Sequence, residues 1–223
     1  MRPSFQMIAG RLLIAAIGGV GYAVPAGACD PGMLAAKHPA VSGKTLRLGT
    51  TGDTPPFNYR DPKAMDHVIG VNADYVRAAG ECLGSRVEIV VSNYAGLVPG
   101  VRAGQIDAGT STIFYTPERA KQVDFVVYLR GATGIIVRKD FQKAITSLGD
   151  LCGMKAVAVV GALQVADLQA ASADCEKSGK PPISIIMSQG GDAGPLLLQS
   201  ERVDFYFGPA LPQSVDESKF KIA

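Results

Sequence analysis

Strand-length apolar runs alternate with helix-length segments along most of this chain, and that alternation restricts the fold more than any other feature. Residues 44–51 (KTLRLGTT) alternate in polarity and are predicted as a strand, followed by turn residues at 51–56 (TGDTPP). A helix is expected over 71–83, with Val71, Ala73, Val76, Ala79 and Leu83 apolar, and a strand over 87–91. A short helix over 97–103 runs up to Gly104, a common helix stop, and strands are expected at 106–109, 123–127 and 134–137. The second half repeats the rhythm with a strand at 156–160, a helix over 163–175 and a loop at 178–182. A strand at 183–187, a glycine-rich turn, a helix near 195–200 and a strand at 203–207 complete it. Strands separated by helices imply an α/β architecture with largely parallel sheets, here as two lobes joined near residues 130–139.

The composition narrows the function. With 223 residues the chain is one large domain or two small ones, and 47% hydrophobic with 19% charged residues excludes wholesale disorder. A formal charge of +2 without a Lys/Arg run gives no nucleic-acid footprint. Two histidines, both in polar loops, and cysteines without zinc spacing imply no metal site and no cofactor. SGKT at 42–45 resembles the end of a phosphate loop, but the position that needs glycine is His38 and no strand precedes it. There is no GxSxG, HExxH or dinucleotide-binding GxGxxG.

The first 28 residues have the order of a secretory signal. Arg2 and Arg11 are their only charges, residues 12–24 form a short apolar run, and Ala26-Gly27-Ala28 suits cleavage. Thirteen apolar residues are too few for a membrane span, which needs about 20. Export into the periplasm follows as an expectation. Without this segment Lys+Arg falls from 22 to 20, equal to the 20 acids. Cleavage after Ala28 exposes Cys29, which admits lipid attachment there or a disulfide. The mature chain then holds four cysteines, an even number in an oxidising compartment. Four cysteines allow three connectivities, of which we expect Cys29–Cys82 and Cys152–Cys175.

The most informative segment is 107–125, DAGTSTIFYTPERAKQVDF. With TPER at 116–119 and KQVDF at 121–125 the chain resembles the bacterial periplasmic solute-binding proteins of the amino-acid ABC transporters, family 3. Further pieces occur in the family's order: LRLGT at 46–50, PPFNY at 55–59, GVNAD at 70–74, YAGL at 94–97 and AGQID at 103–107. IIVRK at 135–139, LGDLCG at 148–153 and ERVD at 201–204 continue it. The resemblance implies the two-lobed type II periplasmic-binding fold, with lobe 1 over 29–133 and lobe 2 over 134–223. It also implies a monomer that closes on a small solute and docks on an inner-membrane permease.

Roles follow position by position. Arg119 matches the arginine that grips the ligand carboxylate, a task suited to a permanently charged fork of donors. Thr112 is expected at a strand end facing the cleft, with Phe114 where the family carries Ser or Thr. Tyr94 matches an aromatic wall of the pocket, and Phe57 lies beside it or in the core. Gly161, Ala162, Leu163 and Gln164 open a helix whose free N–H groups suit an anion. The family's ammonium-binding acid would fall near Gly208 or Pro209, where no carboxylate stands. Asp53, Asp192 and Asp204 are the acids left to replace it, and Asp204 also matches a structural acid of the family. Members of the family also continue past a segment like 219–223, so the return to lobe 1 is expected to be missing. Two other readings stand beside transport. Thr50-Thr-Gly-Asp53 resembles the opening of periplasmic cyclohexadienyl dehydratases, enzymes on this scaffold, although their second-lobe carboxylate has no counterpart at 161–164. A degenerate paralogue that binds nothing is the other.

Overall fold

The computed structural model describes residues 29–210 and 215–223; the signal segment expected at 1–28 lies outside them. Helix α1 (Pro31–Lys37) starts at an Asp30 cap whose carboxylate accepts the Met33 N–H. Strand β1 (Thr45–Thr50) leads to a small antiparallel sheet of β2 (Asp53–Thr54), β3 (Asn58–Asp61) and β4 (Ala64–Ile69). Helix α2 (Val71–Cys82), β5 (Arg86–Val91), α3 (Leu97–Arg102) and β6 (Ala108–Gly109) follow, and β1 lies between β5 and β6 with both pairings parallel. Gly49 of β1 sits where a Cβ would stand 2.4 Å from Ile106 Cδ1, so the segment after α3 packs directly onto the strand backbone.

A second, five-stranded sheet follows helix α4 (Pro117–Ala120). Its members are β7 (Thr133–Arg138), β8 (Lys155–Val159), β9 (Ser184–Ser188), β10 (Phe205–Pro209) and β11 (Phe220–Ile222), in the order β11-β7-β10-β8-β9. The β10–β8 and β8–β9 pairings are parallel, whereas β7 is antiparallel to both β10 and β11. Helices α5 (Leu163–Lys177) and α6 (Ala193–Gln199) complete the crossovers. The period of two along strands separates the faces. Val137, Phe205 and Phe207 join Leu151 and Leu168 in one core, while Ile136 and Tyr206 join Leu198 and Phe220 in the other.

Both expected disulfides are present, with Cα atoms 5.5 Å apart for Cys29–Cys82 and 5.6 Å for Cys152–Cys175. The first ties the entry to α1 onto the end of α2, and the second ties the 3-10 turn Leu148–Leu151 to α5.

One strand expectation is corrected. Residues 123–127 form no strand, and Val126 and Val127 are 80% and 67% exposed. Local alternation is insufficient where no neighbouring strand supplies a hydrogen-bond ladder. The chain is anchored just beyond by Tyr128, whose ring stacks on Tyr75 at a centroid distance of 4.3 Å. The expected strand at 106–109 shortens to Ala108–Gly109, and β2–β4, α1 and β11 were not anticipated.

Candidate functional site

The Thr116-Pro117-Glu118-Arg119 segment builds its own geometry. Thr116 caps α4 by accepting the Arg119 N–H at 3.2 Å, and Pro117 fills the first helical position, where a missing N–H costs nothing. That turn aims Arg119 toward the five-stranded sheet. Its Nη1 donates to Phe114 O at 2.7 Å and its Nη2 donates to Gly161 O at 2.8 Å. The guanidinium carbon also stands 5.9 Å from the centre of the Tyr94 ring. Burial pushes the Tyr94 phenol upward, and the Arg119 charge and hydrogen bond act against that shift.

Tyr94, Thr112, Phe114, Ala162 and Gln164 line one cavity of about 30 Å³. Tyr94 belongs to a 3-10 turn (Tyr94–Gly96) whose Asn93 cap accepts the Gly96 N–H at 2.8 Å. Thr112 follows β6 with φ at 52°, a left-handed backbone that is uncommon for a β-branched residue. Ala162 and Gln164 open α5, whose N-terminus has no side-chain cap. The turn before α5 sits close to the opposite wall: Gly161 has φ of 79°, and a Cβ there would lie 3.1 Å from Ala95 Cβ.

Three expected residues fall outside the lining. Phe57 is 5% exposed in the core under the small sheet, where a Cβ on Gly70 would stand 2.7 Å from its carbonyl oxygen. Leu163 is not part of the cavity wall, while its neighbours Ala162 and Gln164 are. Arg119 stands at the cavity edge rather than in its wall.

Val159, Tyr206 and Phe207 escaped the sequence reading; Val159 ends β8, and Tyr206 and Phe207 lie on β10 just before Gly208, where the family's ammonium-binding acid would fall and which also lines the cavity. The Phe205–Pro209 run reads as core, which hid Tyr206; only its Gly-Pro ending signalled a strand terminus. Asp53 and Gly191 also line the cavity, and the Gly191 N–H donates to Asp53 Oδ2 at 3.1 Å. Asp204 is occupied elsewhere, accepting the Lys155 N–H at 2.7 Å.

Behind the cavity runs a buried polar chain. Tyr128 OH donates to Asn72 Oδ1 at 2.7 Å, and Asn72 Nδ2 donates to Asn58 Oδ1 at 2.7 Å. Asn58 Nδ2 donates to Thr51 Oγ at 3.0 Å and to Ser111 Oγ at 3.1 Å. Thr51 ends this chain in the cavity wall.

Two α/β sheets facing each other across a cavity at strand ends define a two-lobed protein of the type II periplasmic-binding fold. The chain belongs to the bacterial extracellular solute-binding proteins, family 3, whose model matches residues 46–216. It is 29% identical over 160 residues to the arginine-binding protein ArgT of Corynebacterium glutamicum, covering 71% of this chain and 52% of that one. It is 32% identical over 122 residues to the arginine-binding extracellular protein ArtP of Bacillus subtilis, covering 54% of this chain and 46% of that one. The chain thus spans about half the length of these relatives. An ancestral arginine-binding protein bound to glutamine superimposes with a TM-score of 0.69 at 27% identity, covering 80% of this chain and 77% of that one. An ancestral amino acid-binding protein, a precursor of cyclohexadienyl dehydratase, gives 0.62 at 28% identity, with 74% and 70% covered.

Proposed function

We propose that this chain is the periplasmic substrate-binding component of an amino-acid ABC transporter. It takes a small carboxylate-bearing solute between lobe 1 (29–133) and lobe 2 (134–223), and the closed form docks on a membrane permease. The observation that carries this reading is the convergence of Tyr94, Thr112, Phe114, Ala162 and Gln164 on one cavity with Arg119 at its edge. A guanidinium has five N–H donors, and Arg119 engages two of them on the carbonyls of Phe114 and Gly161. The remainder, with the uncapped N-terminus of α5, suit an anion. A cavity of about 30 Å³ has the volume of about one water molecule, so the lobes open to admit the solute.

Titration of the purified protein with the twenty amino acids tests the reading. At least one binds the wild type and fails to bind Arg119→Ala; no binding by any of them rejects it. The likeness to a dehydratase precursor raises an enzyme on the same scaffold as a second reading. The α5 entry at 161–164 carries no carboxylate, and general acid catalysis needs a titrating group within reach, which favours binding alone. Release of phenylpyruvate from prephenate would reverse that choice.

A further inference from the structure

Two carboxylates from opposite sides of the cleft converge on Gly190. A Cβ on that glycine would stand 2.4 Å from Asp53 Oδ2 and 2.9 Å from Asp192 Oδ1, so the two oxygens are no farther apart than the sum of those distances. Asp53 comes from β2 of the small antiparallel sheet, and Asp192 from the turn between β9 and α6. Neither makes an ion pair among the described residues. Among the described residues Asp53 accepts the Gly191 N–H and the Thr54 hydroxyl alone, which leaves lone pairs unused. Asp192 precedes α6 at the cap position, yet its side chain makes no capping hydrogen bond.

A separate observation points to what sits between them. Tyr206 is 6% exposed and lines the cavity, and among the described residues its hydroxyl makes no hydrogen bond. The hydroxyl stands 2.4 Å from where a Cβ on Gly208 would be, and the ring covers Gly194. Tyr206 and Asp53 line the same cavity; burial pushes this phenol well up, and the charges of Asp53 and Asp192 with the Tyr94 phenol add to the shift. Unlike the fully buried Thr50 Oγ1 and Arg138 Nε, which also lack a hydrogen bond, this hydroxyl is not sealed off, so a solute group in the cavity can supply the missing partner.

We propose that Asp53, Asp192 and Tyr206 form a subsite for an organic cation, an ammonium or guanidinium group of the solute. The two acids meet its N–H groups from opposite lobes, while the Tyr206 oxygen accepts from it and the ring shields it. No group of three or more metal-ligating side chains occurs among the described residues, which favours an organic cation over a metal ion. This subsite rests on the solute-binding reading and names the class of solute. Arg119 takes the carboxylate, and the acid pair takes the positive charge and bridges the lobes as they close.

Calorimetric titration with four ligands separates the terms. L-arginine carries both cations, L-citrulline only the α-ammonium, N-acetyl-L-arginine only the guanidinium and N-acetyl-L-citrulline neither. The wild type is expected to bind L-arginine at least about tenfold more tightly than N-acetyl-L-citrulline. Comparing the two intermediate ligands shows which cation occupies the subsite. Asp53→Asn and Asp192→Asn, each checked for an unchanged circular dichroism spectrum, are expected to lose that ratio. Tyr206→Phe should reduce it. Equal binding of the charged and uncharged ligands by the wild type overturns the cation subsite but leaves solute binding standing. So does an unchanged ratio in both Asn variants. Failure of all four to bind rejects this subsite together with amino-acid binding at the cleft.

Discussion

Arg119 Nη2 donates to Gly161 O at 2.8 Å, so one side chain joins the segment after β6 to the turn that opens α5. The same guanidinium holds Phe114 O through Nη1 at 2.7 Å. Lysine preserves the charge but not the planar fork, so it cannot hold both carbonyls and also grip a carboxylate. Arg119→Lys is expected to weaken solute binding by about 10- to 100-fold, in line with roughly 1.5–3 kcal/mol for a charged hydrogen bond. Calorimetry checks this, and an unchanged affinity would remove Arg119 from the site.

Gly161 combines a φ of 79° with a Cβ position 3.1 Å from Ala95 Cβ. A side chain there strains the turn and crowds the opposite wall at once, with the left-handed backbone alone costing about 1–2 kcal/mol. The Gly161→Ala variant is expected to scatter X-rays as a more open particle without solute and to bind solute about tenfold more weakly. Equal radii of gyration for variant and wild type would refute that.

The buried chain through Asn58 and Asn72 predicts an order of stability losses. Asn58 is fully buried and links three partners, Thr51, Ser111 and Asn72. Asn58→Ala leaves several polar groups unpaired, each at about 1–3 kcal/mol. Tyr128 is 37% exposed at the end of the chain, so Tyr128→Phe should cost less, because water can replace the lost hydroxyl. Urea unfolding of both variants provides the comparison, and the reverse order would contradict the network.

The two disulfides close loops of different length, with sequence separations of 23 and 53. Chain-entropy arguments give about 3–4 kcal/mol for loops of this size, with the longer loop contributing slightly more. Replacing both cysteines of a pair by serine is expected to lower the melting temperature in each case. Calorimetric scans should show the larger drop for the Cys29–Cys82 pair.

Acid stability should carry the signature of Asp150. Its carboxylate accepts the N–H groups and hydroxyls of Thr146 and Ser147, which hold its pKa down at about 2. The folded value is lower than the unfolded one of about 3.9, so the contribution is present above about pH 4 and fades as pH falls toward 2. Asp150→Asn should flatten the stability profile in that window and leave its shape unchanged near neutrality. Urea midpoints measured from pH 2 to 7 would reveal it.

Much of the molecule was legible in local sequence. The helix and strand periods located α2, α5, β5 and β8 to within a few residues, because those patterns record which face of each element is buried. The TPER segment identified the family and brought Arg119 to attention, since Thr, Pro and Arg there each serve a local geometric need. The run at 123–127 misled because its alternation is real but a strand exists only where another strand accepts its hydrogen bonds. For Phe57 the sequence left the pocket side and the core open, and the structure takes the core: lying beside the site in the chain did not bring it into the cavity wall.

By itself the sequence determined the α/β alternation and the family, and it singled out Arg119, because each depends on spacing along a few turns of chain. Only the tertiary structure decided that Asp53 and Asp192 meet at Gly190, that Arg119 reaches Gly161, and that Thr51 ends a buried polar chain beginning at Tyr128. Those residues are far apart in the chain. They come together through strand order and crossover packing, which place the ends of β8 and β10 beside the small sheet that carries Asp53, and no local pattern encodes that juxtaposition.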